Sequence, residues 1–143
     1  MNKKLDTELC TKYPKLFVNR HADMKVTAMC WGFSCGDGWY NIINHLCSNI
    51  QHHLDWVNKK EVKVAQVEVS QVKEKFGTLR FYYTGGDDYI NGMVAMAESM
   101  SSVTCEECGA PGKTSRRGWM VTLCDEHAAA REAALPARAD TNV

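Results

Sequence analysis

Apolar residues fall at helical spacing in two stretches of the chain and alternate in a third. In "CGDGWYNIINHLCSNIQHHLDWV", Trp39, Ile42, Ile43, Leu46, Ile50, Leu54 and Val57 recur every three or four positions, which predicts an amphipathic helix with that stripe in the core. Asp37 is placed to cap its first turn. A second helix is predicted after "GGDD", with Asp87 or Asp88 as cap and Ile90, Met93, Val94, Ala97 and Met100 as its apolar face. A shorter helix, Leu5 to Tyr13, stops where Pro14 disfavours helical geometry in the residue before it. Lys15 to Cys35 has no clean period and reads as irregular.

Between the long helices the period changes. Val62 to Lys73 is rich in valine with partial alternation, and Thr78 to Thr84 sets Leu79, Phe81 and Tyr83 against Thr78, Arg80 and Tyr82. Gly77 between them suits the positive φ of a tight turn. A two-residue turn at Phe76-Gly77 would pair Lys75 with Thr78, Lys73 with Arg80 and Gln71 with Tyr82. One face would then carry those cations, with Val72, Leu79 and Phe81 on the other; a three-residue loop would turn Arg80 away. The predicted fold is α+β, two amphipathic helices packed on a short antiparallel sheet.

Beyond Met100 the pattern is set by metal-ligand chemistry. "CEECG" at Cys105 to Gly109 and "CDEH" at Cys124 to His127 give Cys-x2-Cys, fifteen intervening residues, then Cys-x2-His. Two such pairs supply the four soft or borderline ligands of a tetrahedral zinc site. Gly118 to Leu123 reads as a strand returning the chain to the metal, and "DEHAAAREAAL" as a helix carrying Cys124 and His127 on its first turn. Cys105, Cys108, Cys124 and His127 are thus expected to hold one structural Zn2+ in a treble-clef-like module, with no open position for water. The expected organisation is an α+β body over 1–103, a zinc module over 104–135 packed on it, and a flexible tail over 136–143. Cys30, Cys35 and Cys47 could form a second site with His21 or His45, although buried thiols are the favoured reading. His52 and His53 are assigned no chemistry.

A chain of 143 residues, 45% hydrophobic and 24% charged, has the makings of one ordinary domain with its own core. No apolar run approaches a membrane span, and "MNKKLDTELC" lacks an apolar signal core, so a cytosolic protein is expected. Formal net charge is zero but unevenly spread: Lys59 to Thr84 holds six cations against three anions, and Gly85 onward holds five cations against nine carboxylates. That balance argues against bulk nucleic-acid binding while allowing a local basic patch. Lys73 to Tyr83 packs three cations and four aromatic rings into eleven residues. Lys113, Arg116 and Arg117 with Trp119 form a second cationic-aromatic cluster. No nucleophile elbow, P-loop or dinucleotide-binding glycine pattern is present, and the acids and histidines form no recognisable acid-base set, so catalysis is the less favoured reading.

Together "CGDGWYNII", "QVKEKFGTLRFYY", "MAESMS" and "TCEECGAPG…GWMVTLCDEH" resemble a family of small bacteriophage proteins with no established enzymatic activity. The likeness runs from about Trp31 to His127, though relatives often carry a second glycine where this chain has Thr78. It implies expression in the cytoplasm of an infected bacterium, and the compactness of such genomes suggests a protein that neutralises or redirects a host component. The leading expectation is a non-enzymatic binder of an anionic, phosphate-bearing ligand such as a nucleotide signal. Lys73, Lys75 and Arg80 would pair with charge, and Tyr82 or Trp39 could stack a base. The alternatives are a protein-interaction inhibitor of a host or defence protein, or a nucleic-acid-binding regulator.

Overall fold

In the computed structural model, which describes residues 1–136, the alternating stretch forms an antiparallel hairpin of β2 (Glu68–Lys75) and β3 (Thr78–Thr84). Lys75 stands opposite Thr78, Lys73 opposite Arg80 and Gln71 opposite Tyr82, with a bulge between Val69 and Gln71. Val69, Val72, Leu79 and Phe81 are buried beneath the opposite face. Phe76 (φ 53°) and Gly77 (φ 78°) both turn left-handed, as the twist of a two-residue hairpin requires. The strand begins at Glu68, not at Val62. Asn58, at the end of the preceding helix, holds Val64 by both backbone groups (2.7 and 3.0 Å), and Gly86 N–H donates to the Ala65 carbonyl, so 62–67 is spent on a connector. Of the tail expected over 136–143, all but Pro136 lies outside the described residues.

The stretch without a period also contributes to the sheet. β1 (Phe33–Ser34) pairs parallel with β2, giving the order β1-β2-β3. Its approach is fixed by Arg20, which binds Asp6 of α1 (Lys3–Lys12) through two hydrogen bonds (2.9 and 3.1 Å) and donates to the Cys30 carbonyl. Two charges, both largely buried, satisfy one another and pin an irregular loop to a helix.

The long apolar stripe forms α2 (Tyr40–Val57), burying Ile43, Leu46, Cys47, Ile50 and Leu54. Asp37 does not cap it. A 3-10 turn over Asp37–Trp39 leads into the helix, and the Asp37 carboxylate instead accepts from the backbone and side chain of Asn2 (2.7 and 2.9 Å). α3 (Asp88–Ser101) lies along the outer edge of β3. Ser101 Oγ and Glu98 Oε1 accept from Leu79 N–H and Phe81 N–H (2.8 and 3.0 Å), satisfying the donors that an edge strand would otherwise expose.

Asp87 caps α3, accepting from Ile90 N–H (3.0 Å), and its second oxygen meets His53 Nε2 at 2.7 Å, tying the N-terminus of α3 to α2. Burial disfavours the Asp87 carboxylate, but the bonds from His53 and Ile90 N–H outweigh it and hold its pKa below the ordinary value. A folded pKa below the unfolded one gives stability that is present above the ordinary value and lost as pH falls through the lower one. Asp87→Asn keeps a capping oxygen. It is therefore expected to cost about 1 kcal/mol at neutral pH, and to match the parent once pH has fallen below the lowered Asp87 pKa. Urea midpoints of both proteins at the two pH values check this; an equal deficit at both would refute the ionic contribution.

Candidate metal centre and adjoining basic face

The C-terminal part is a chain reversal at Cys105–Gly109, a two-stranded ribbon of β4 (Lys113–Ser115) and β5 (Val121–Leu123), and helix α4 (Asp125–Ala134). Gly109 takes φ 79° as the chain turns back after Cys108. Cys124 is the residue that starts α4, and His127 lies in its first turn. One sulfur or nitrogen from each of Cys105, Cys108, Cys124 and His127 lies within 4.8 Å of the others, an arrangement compatible with a metal site. Cys108 and Cys124 sulfurs are 3.8 Å apart, and His127 Nδ1 is 3.6 Å from Cys105 Sγ and 3.1 Å from Cys124 Sγ. A tetrahedron with metal–sulfur arms of about 2.3 Å and a nitrogen arm of about 2.0 Å has edges of about 3.5–3.8 Å, so two of these separations fit and the third is tighter.

The surroundings act on two of these thiols in opposite directions. Burial opposes ionisation of Cys105, yet N–H groups of Cys124, Cys108 and Glu107 converge on its sulfur and draw its pKa down to about 6. For Cys108 the Ala110 N–H favours the thiolate, but burial and the neighbouring thiols outweigh it and push the pKa up. Sulfurs this close cannot all ionise together unless a positive ion lies among them. Among the described residues this is the one Cys/His/carboxylate cluster with ligand spacing. Cys30, Cys35 and Cys47 join no such group; Cys35 and Cys47 are buried thiols, with burial pushing the Cys35 pKa up to about 12.

The glycines of "CGDGW" have a place here. Gly38 N–H donates to the Glu106 carbonyl (2.7 Å) and Gly36 N–H to the Glu106 carboxylate (2.9 Å), so the cysteine turn sits directly on that loop. Trp39 is the centre of this seat, fully buried, with its indole N–H on the Thr104 carbonyl at 2.9 Å. This corrects the expectation that Trp39 stacks a ligand: the ring presents no open face. A second seat lies at the hairpin tip, where Thr122 Oγ1 of the ribbon donates to the Gly77 carbonyl (2.6 Å).

Docking of the tip brings the hairpin's cationic-aromatic cluster against the Trp119 ring of the second one. A cavity of about 430 Å³ is lined by Lys73, Glu74, Lys75 and Phe76 from the hairpin and by Gly118, Trp119 and Met120 from the ribbon turn. Phe76 and Trp119 are 63% and 73% exposed, large apolar rings left in solvent on either side of lysines. Among the described residues none of Lys73, Lys75 and Arg80 is in an ion pair. Glu74 is engaged elsewhere, accepting from Gly77 N–H at 2.7 Å. Arg80 lies back along its own strand, donating to Thr78 Oγ1 and the Leu79 carbonyl, and Tyr82 is partly exposed on the same face. Sequence reasoning found both clusters but not their meeting, which depends on a hydroxyl–carbonyl contact between residues 45 positions apart.

The fold and site thus define an α+β protein with a Cys3His cluster compatible with a metal site. Compared with protein-family models, curated proteins and solved structures, the chain matches none. No helix among the described residues is long and apolar enough to cross a membrane.

Proposed function

We propose that the chain is a non-catalytic binder of a phosphate-bearing anion, its recognition face braced by a structural zinc in a treble-clef-like module. In this reading Zn2+ fills the Cys105, Cys108, Cys124 and His127 cluster, three thiolates and an imidazole being a donor set suited to that ion. All four positions come from protein, so the metal orders the ribbon and does no chemistry. The observation that carries the binding role is the cavity shared by Lys73, Lys75, Phe76 and Trp119. Unpaired ammonium groups attract phosphate, and exposed rings beside them offer a base a stacking surface.

Phe76 adds an argument from strain. A non-glycine residue at φ 53° gives up stability, and asparagine or glycine would do the turn's work better. A bulky exposed ring kept there points to use. The proposed setting is the cytoplasm of an infected bacterium, where such a protein would sequester a nucleotide signal or redirect a host component.

The test is thermal melting of the zinc-loaded protein against nucleotides and cyclic nucleotides. A ligand at a hundredfold excess over its Kd adds about 2.7 kcal/mol, worth several degrees here. Phe76→Asn is expected to raise the melting temperature of the unliganded protein and to lose the ligand-induced shift. Lys73→Glu/Arg80→Glu should lose the shift while folding normally. A shift that survives in both variants would sink the proposed site.

One observation favours a second reading, a protein-blocking role. A groove of about 490 Å³ between α2 and α3 is lined by Ile42, Leu46, Tyr89, Met93, Met96 and Met100 among others, with Met96 and Tyr89 largely exposed. Methionines adapt readily to a partner's shape.

A further inference from the structure

We infer that the ligand of this basic face is a single strand of nucleic acid, running over the Gly118 turn from the hairpin cavity into a second groove behind the ribbon. The inference deepens the anion-binding reading above and rests on it.

The ribbon has two faces, and its register assigns them. Thr114 and Thr122 stand opposite one another with their hydroxyls 2.7 Å apart and look inward: Thr122 donates to the Gly77 carbonyl (2.6 Å), and Thr114 Oγ1, 3.2 Å from the Ser102 carbonyl, donates to Thr122. Lys113 and Ser115 must therefore face the other way. There, with Arg117 of the turn and Arg131 of α4, they line a second groove of about 300 Å³. Three cations converge on it against one carboxylate, Glu132.

The turn between the strands walls both spaces, giving Arg117 to the second groove and Gly118 and Trp119 to the hairpin cavity. Arg131 donates to the Trp119 carbonyl (3.2 Å), linking α4 to the turn that carries the ring. Nothing stands within 4 Å of where a Cβ on Gly118 would lie, so the crest between the grooves is open. Together the two spaces hold five cations, Lys73, Lys75, Lys113, Arg117 and Arg131, against Glu74 and Glu132, in a chain of zero net charge.

Each space is near the lower end of the roughly 300–1,000 Å³ that takes one small ligand. A mononucleotide seated beside Lys73 and Lys75 leaves the second set of cations without an anion. A strand supplies phosphates to both sets and a base to the exposed Trp119 and Phe76 rings of the hairpin cavity. Base stacking favours a single strand, because a duplex keeps its base faces covered.

The test uses the zinc-loaded full chain and labelled oligothymidylate and oligouridylate of about 12 nucleotides, a length within the usual single-strand site range, with thymidine and uridine monophosphates as competitors. The oligomers are expected to bind at least about 100-fold tighter than the monophosphates. Their log affinity should fall with log salt at a slope of about −2 to −3, as four or so neutralised phosphates on a single strand imply. Lys113→Glu/Arg117→Glu is expected to weaken the oligomers at least tenfold and leave the monophosphates within about twofold, with an unchanged melting temperature. If the variant melts early, Lys113→Ala/Arg117→Ala takes its place. Equal affinity for oligomer and monophosphate, or oligomer binding indifferent to the variant, overturns the strand while leaving the anion site standing. No binding of either class overturns both readings.

Discussion

Chelating the metal is expected to lower the melting temperature by about 10 °C or more, and Cys105→Ser to do the same without chelator. At about 2–4 °C per kcal/mol for a chain this size, that is roughly 3–5 kcal/mol. Structural zinc in small peptides contributes an apparent ~10–16 kcal/mol, but here most of it would be spent ordering a module with little core of its own. α4 buries none of its side chains completely, and only Thr122 is buried in the ribbon strands. The body, with Leu9, Met29, Trp39, Ile50 and Val72 fully buried, keeps its own core and should stay folded. Acid should act as the chelator does. The Cys105 pKa of about 6 lies below its ordinary value of 9.0, so its contribution is complete only above about 9, is already reduced at neutral pH and is lost as pH falls through about 6. Metal content by atomic emission, followed alongside the melt, checks the link. An unchanged melting temperature in a protein shown to be metal-depleted would remove the structural role.

How far the sequence foretold this depends on whether the deciding force was local. Helix α2 was legible because burial of Ile43, Leu46, Ile50 and Leu54 follows directly from their spacing. A cap at Asp87 or Asp88 was legible because such a carboxylate needs only the N–H three residues ahead, and Asp87 is the one that takes it. The meeting of Cys105, Cys108, Cys124 and His127 was legible because short-range spacing and donor chemistry select them. Asp37 misled because Asn2, far off in sequence, competes successfully for the same carboxylate. β1 was invisible, since two residues carry no period and their pairing is set by the Arg20–Asp6 pair and the sheet edge. Trp39 shows the limit most clearly. Its place on the apolar stripe signalled burial, which overrode the expectation that it stacks a base, and spacing could not foretell that its N–H would meet the Thr104 carbonyl beside the cysteine turn.

That contact leads to the second large effect. Gly38→Ala should cost about 3 kcal/mol or more and weaken metal binding, although the residue lies far from every ligand in sequence. A Cβ at Gly38 would stand 2.6 Å from the Glu106 carbonyl oxygen and 2.6 Å from Gly109 N, with the Cys105 carbonyl closer still. These are backbone atoms, so no side chain can swing aside and the cysteine turn must move as a unit. Moving it breaks the Gly38 N–H bond to Glu106 and strains the Trp39 bond to Thr104. Gly92→Ala is the matched control: nothing stands within 4 Å of that site on α3, and helix propensity alone predicts a gain of up to about 1 kcal/mol. The decisive comparison is made with and without chelator. If the metal acts by holding the turn on this seat, most of the Gly38→Ala deficit disappears once the metal is gone, because the parent has then lost the same docking. Additive losses would show two independent interactions and disconnect the seat from the site.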